Sequence, residues 1–164
     1  MSNSDKLFVG VLGNRNAGKS TTWNALFRRT VKTGKSAHRL DLTNSECVDA
    51  FIISGSPEER KVPIKTLLKN QKCRIVLCSI QYAPTVQDTL DYVFENDFNI
   101  YLQWLNSGYS DRGETWDKAG ILNQVLAHKG VVAIRSGKYA RRRVNEIREF
   151  IYGWASFRGL AYRP

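Results

Sequence analysis

No run of this chain approaches the ~20 consecutive apolar residues that a membrane-spanning helix needs. Residues 1–6 are polar and lack the hydrophobic core of a signal peptide. A cytoplasmic setting without a membrane span is the expectation. Cysteine is scarce: Cys47, Cys73 and Cys78 are odd in number, and each lies in or beside an apolar run. This argues against a disulfide framework or a cysteine-built metal centre and predicts reduced core residues. The two histidines, His38 and His128, have no partners legible in the sequence, so no Ser/His/Asp or Cys/His nucleophile arrangement can be argued. Internal repeats and low-complexity tracts are absent, which excludes solenoid architectures. Acidic residues are outnumbered, 15 against 25 Lys plus Arg, for a formal net charge of +10. Such a balance suits an anionic partner, whether nucleotide, nucleic acid such as RNA or a membrane surface, and equally a basic surface that only keeps the protein soluble.

At 164 residues, 42% hydrophobic and 24% charged, the chain has the size and composition of one soluble domain with a real core. Strand and helix patterns alternate throughout with short connections. An apolar strand over 7–12 precedes a helix over 19–29, with Trp23, Leu26 and Phe27 inward and Arg28 and Arg29 at its carboxyl end. Residues 30–38 are polar and basic, without apolar periodicity, and predict a mobile loop. Strands over 39–43 and 47–53, with a turn at 44–46, predict an antiparallel hairpin. A helix carrying Ile64, Leu67 and Leu68 follows, then a buried strand over 73–80. The next helix, 85–96, starts at a Thr85/Asp88 capping-box pattern and presents Val86, Leu90, Val93 and Phe94 on one face. A strand over 99–105, a helix over 115–128 stopped by Gly130, a strand over 131–134 and a helix over 140–155 complete the order. The last helix buries Val144, Ile147, Ile151 and Trp154. The predicted fold is α/β: a mostly parallel sheet of about six strands with one antiparallel hairpin strand and helices on both faces, the three-layer P-loop NTPase arrangement. Residues 7–157 form the domain, between a polar tail at 1–6 and a carboxyl-terminal tail at 158–164.

The chemistry sits at the end of the first strand. Gly13-Asn14-Arg15-Asn16-Ala17-Gly18-Lys19-Ser20 spells G-x-x-x-x-G-K-S, between a strand and a helix. In that context the glycines let backbone N–H groups turn inward on a phosphate. Lys19 would reach the β- and γ-phosphates, the Ser20 hydroxyl would coordinate Mg²⁺, and the helix amino terminus would add partial positive charge. The motif predicts a nucleoside triphosphate ligand. A glycine turn that happens to precede Lys-Ser is the alternative.

Residues 8–27 resemble the phosphate-binding segment of small GTPases, closest to the ribosome-assembly and ferrous-iron-transporter branch. That segment commonly reads G-x-P-N-V-G-K-S/T-T-L-x-N-A-L; Gly13, Asn16, Gly18, Lys19, Ser20, Thr21, Asn24, Ala25 and Leu26 match it. The order of elements is similar to a Ras-like G domain across nearly the whole chain. The resemblance implies that Asn106 stands for the Asn of N-K-x-D, and that Ser136-Gly137-Lys138 is the counterpart of S-A-K. It also implies a D-x-x-G motif where the chain has Ser54-Gly55-Ser56-Pro57, with no carboxylate at the strand end. Glu58 falls just beyond, at the position that orients the attacking water. Mg²⁺ would then depend on Ser20, phosphate oxygens, waters and a loop threonine, Thr43 or else Thr30 or Thr33, with a bound water at Ser54 or Ser56. Ser107-Gly108-Tyr109-Ser110-Asp111 does not complete the guanine-reading motif. Asp111 would rescue it only if the loop folds back, so GTP and ATP are both open.

Arg15, Arg28, Arg29, Lys32, Lys35 and Arg39 surround the loop and the following segment, as arginine-finger candidates or solvated surface charges. Arg141-Arg142-Arg143 opens the last helix, against its dipole. It predicts either contact with an anionic partner such as RNA, with Phe150, Tyr152 or Phe157 stacking on bases, or a solvated helix face. Three functions fit. The first is a nucleotide switch that hydrolyses GTP or ATP slowly in response to a protein partner. The second is a pseudo-GTPase that binds without chemistry. The third is a P-loop small-molecule kinase, whose arginine-rich lid the late cluster does not obviously supply.

Overall fold

The computed structural model describes residues 5–110 and 115–164. Six strands form one sheet in the order β2-β3-β4-β1-β5-β6. They are β1 (Leu7–Gly13), β2 (His38–Asp41), β3 (Cys47–Ile53), β4 (Ile75–Gln81), β5 (Asn99–Leu105) and β6 (Val131–Arg135). Only β2 runs antiparallel, paired to β3; β1 lies between β4 and β5, parallel to both, with Leu7 opposite Ile75 and Asn99. Every residue of β1 is buried, as expected for a central parallel strand covered on two sides.

Alternation along β1 divides the core. Leu7, Val9 and Val11 face Trp23 and Leu26 of α1 (Lys19–Phe27) and Val144, Ile147 and Ile151 of α6 (Ala140–Phe157). Phe8 and Leu12 face the opposite layer, where Ile64 of α3 (Ile64–Leu67), Leu90 and Val93 of α4 (Val86–Glu95) and Val125 of α5 (Ile121–Ala127) pack. Helices therefore cover both faces. The indole N–H of Trp23, fully buried, donates to Ser79 Oγ at 2.9 Å, tying α1 to β4.

Several expectations need correction. The helix carrying Ile64 is a single turn, α3, begun at Pro63 and capped at Leu68, and an unexpected turn, α2 (Pro57–Arg60), precedes it and ends at left-handed Lys61 (φ +55°). Thr85 makes no capping bond; its backbone is already helical (φ −84°, ψ 0°), which takes its hydroxyl out of reach of the first amides. The helix read over 115–128 begins only at Ile121. Asp117 accepts hydrogen bonds from the amides of Ile121 and Leu122 and from Tyr82 Oη, fixing the preceding residues as a cap. Residues 30–37 are irregular, as expected of a loop, with Val31 buried and its amide donating to Asn24 Oδ1. The 158–164 stretch is no free tail, since Tyr162 exchanges backbone hydrogen bonds with Cys47 at 2.8 and 2.9 Å. Cys47 and Cys78 are buried and Cys73 half-buried, all three free. Among the described residues no helix is long and apolar enough to cross a membrane.

Candidate functional site

Parallel pairing places the carboxyl ends of β1, β3, β5 and β6 along one edge of the sheet. The central strand has neighbours reached by connections in opposite directions, and ligand crevices of open α/β sheets form at such points. A cavity of about 890 Å³ opens there. Its floor is residues 15–21, after β1; its walls are Ser54, Gly55 and Glu59 after β3, Tyr109 and Ser110 after β5, and Gly137, Lys138 and Ala140 beyond β6.

The floor is a tight turn. Asn16 takes φ +62° and Gly18 φ +101°, the second a conformation that favours glycine. Ala17 N donates to Asn14 O at 3.1 Å, closing the turn. The first helical hydrogen bond runs from Thr22 N to Gly18 O at 3.2 Å, so the amides of Lys19, Ser20 and Thr21 precede any intrahelical acceptor. Neither a side-chain cap nor an acidic residue occupies the first turn of α1. No side chain of that turn therefore meets its partial positive charge.

Lys19 is 6% exposed and lies across the loop. Its Nζ donates to Asn14 O at 2.7 Å and stands 3.1 Å from Glu59 Oε1. An amine that interior would be costly without such partners. Glu59, 38% exposed, is thus an acidic side chain resting on the one lysine of the cavity floor. It was not singled out from the sequence; its signal was adjacency to Glu58 after a strand end.

Glu58 goes elsewhere. Its carboxylate accepts hydrogen bonds from Gln81 N at 2.7 Å and from Thr89 Oγ1, and it does not line the cavity. Burial pushes the Glu58 carboxyl above its usual range, against the pull of those hydrogen bonds and of the Lys19 charge. The reason for this placement is the α2 turn: Ser56 Oγ accepts from Glu59 N at 3.2 Å and starts it, so neighbouring glutamates leave it in different directions.

The remaining candidates divide similarly. Arg15, Asn16, Ala17, Gly18, Ser20, Thr21 and Lys138 line the cavity. Gly13 ends β1, and its carbonyl accepts from Tyr82 N. Asn14 donates through Nδ2 to Thr115 Oγ1. Asn106 clasps the backbone of Thr115 through both side-chain atoms, holding two loops together outside the cavity lining. Ser136 Oγ accepts from Lys138 N at 3.3 Å and shapes the loop beside the cavity. Asp111 lies outside the described residues. Thr43 is corrected: its hydroxyl accepts from the amides of Ser45 and Glu46 in the hairpin turn, at the amino-terminal edge of the sheet. Thr33 is the threonine that reaches the carboxyl edge, where its hydroxyl accepts from Ser54 N at 2.9 Å.

Two residues that the sequence placed only within longer motifs have their own roles on the cavity walls. Tyr109, 62% exposed, is held by its amide donating to Ala17 O at 2.9 Å. Gly137 is pressed against the floor so closely that a Cβ would fall 2.3 Å from Ala17 O. Only glycine allows the two backbones to meet there. Among the described residues, no group of three or more His, Cys, Asp or Glu is placed to hold a metal. The side-chain donors at the cavity edge are oxygens (Ser20, Ser54, Glu59), a set that suits a hard cation sharing water and ligand oxygens.

A scan against protein-family models finds no family that matches this chain, and a search of curated proteins finds no match either.

Proposed function

We propose that the cavity binds a nucleoside triphosphate, GTP or ATP, in the manner of a P-loop NTPase with a Ras-like arrangement. The observation that carries this reading is the floor: a glycine-shaped turn, three leading amides of α1 and a lysine amine converging on one uncapped helix start. The triphosphate would take the place of Glu59 at Lys19 Nζ. Lys138 and Tyr109 line the opposite wall and would flank the nucleoside. Residues 106–110 contain no carboxylate to pair with guanine N1 and N2, so both purines stay within the proposal.

Mg²⁺, when bound, would supply positive charge beside the phosphates. Ser20 is the hydroxyl placed to hold it, with Glu59 and Thr33 as further oxygen donors nearby. Hydrolysis would be slow. No carboxylate ends β3, and Glu58 is engaged with Gln81 and Thr89 and so is not facing the γ-phosphate position. That same engagement favours a second reading, a module that binds nucleotide without turning it over and presents the bound state to a protein or RNA partner. Mg²⁺-dependent release of phosphate separates the two.

The test is calorimetric titration of wild type and Lys19→Ala with GTP and ATP in the presence of Mg²⁺. Removing a buried cation that pairs with the ligand should weaken binding about 100-fold. Absence of binding to wild type, or equal binding to both proteins, would remove the proposal.

A further inference from the structure

The basic triplet that opens α6 is not one surface patch. Arg141 and Arg142 are exposed, whereas Arg143 is 2% exposed. Its Nη1 donates to Thr22 Oγ1 at 2.8 Å and to Gln103 Oε1 at 3.2 Å, and its Nη2 to Gly137 O at 3.3 Å. Its Nε, also buried, has no partner. All three acceptors are neutral, and among the described residues no carboxylate pairs with this guanidinium. A buried charge without a counter-ion is among the most costly arrangements a core can hold. Burial pushes the Arg143 pKa down to about 10, which leaves it charged at neutral pH.

Its position gives that cost a purpose. Thr22 Oγ1, which accepts from Arg143, donates in turn to Gly18 O at 2.9 Å. Arg143 Nη2 lies 3.8 Å from the point where a Cβ on Gly18 would stand. The charge therefore sits one peptide behind the turn that forms the cavity floor. Gln103, fully buried in β5, returns a bond from Nε2 to Arg143 O; a neutral amide here holds the guanidinium without cancelling it.

We propose that Arg143 is an internal counter-charge for a bound polyphosphate, setting the site's preference for ligands that carry more phosphate charge. The proposal rests on the triphosphate reading. Behind the floor, away from water, its field reaches the phosphates with less screening than Arg141 or Arg142. Its effect therefore grows with the number of phosphates, whereas a purely structural brace would affect every ligand of the cavity alike.

The experiment measures affinities of nucleoside mono-, di- and triphosphate and of inorganic tripolyphosphate, for wild type and three variants. Arg143→Met should weaken triphosphate binding about tenfold and monophosphate about twofold. Arg143→Lys, which keeps the charge, should stay within about threefold of wild type. Gln103→Glu places a carboxylate against the guanidinium; it should keep or raise the melting temperature and still weaken the triphosphate several-fold. If Arg143→Met does not fold, Gln103→Glu decides alone. Equal losses along the phosphate series, or wild-type triphosphate affinity in Gln103→Glu, would overturn the inference while leaving the nucleotide reading intact. If wild type binds none of these ligands, both fall.

Discussion

The glycine-rich turn and the 54–59 segment face each other across one cavity and are built by opposite means. The turn is made of backbone. Its shape comes from two left-handed residues, a helix start and the close approach of Gly137. The facing segment is made of side chains on a single four-residue turn, where Glu58 and Glu59 diverge to Thr89 and Lys19. A backbone-built site is arranged before its ligand arrives. A site built from one helical turn can be rearranged by exchanging a hydrogen bond. On the proposed triphosphate reading, the backbone-built side would serve binding and the rearrangeable side would limit cleavage.

The comparison breaks most directly at Lys19, the point where the two regions touch. Lys19→Ala should remove about 2.7 kcal/mol or more of binding energy, the value of a roughly 100-fold loss. Glu59→Gln tests the facing side. It frees Lys19 from a competing anion in a partly exposed pair, so triphosphate affinity in a direct titration without Mg²⁺ should rise about threefold, and the gain should shrink in high salt. No change at low salt would mean that Glu59 does not compete for the lysine.

Glu58→Gln should have the smallest effect on function, leaving turnover within about twofold of wild type. Its signature is in stability against pH. The folded-state pKa is raised, so the folded protein binds the extra proton more tightly than the unfolded chain. The stability it contributes is fully present below the ordinary glutamate pKa and is lost as pH rises through the raised value. Denaturation of Glu58→Gln across that window should lack this decline. A large loss of turnover would instead return Glu58 to the reaction.

The turn could be read from sequence because its determinants are contiguous: eight residues, with a strand before and a helix after. The hairpin and the succession of strands along the chain followed from local apolar patterns for the same reason. What escaped depends on residues far apart in the chain. Glu59 matters because α2 rotates it toward Lys19, and one turn of helix carries no periodicity to announce that. Arg143 read as surface because it belongs to a basic triplet. The signal against this was its spacing, four residues before Ile147 on the buried stripe, together with Gln103 and Thr22, polar side chains in otherwise buried positions. Thr43 and Thr33 could not be ranked without knowing which edge of the sheet each loop faces.

The central claim is that amides at the head of α1 converge on a polyanion. Titrating ¹⁵N-labelled protein with GTP, ATP and tripolyphosphate tests it residue by residue. The account predicts that the largest amide shifts fall on Gly18, Lys19 and Ser20 with all three ligands. Shifts confined to other parts of the surface, or none at saturating ligand, would contradict it.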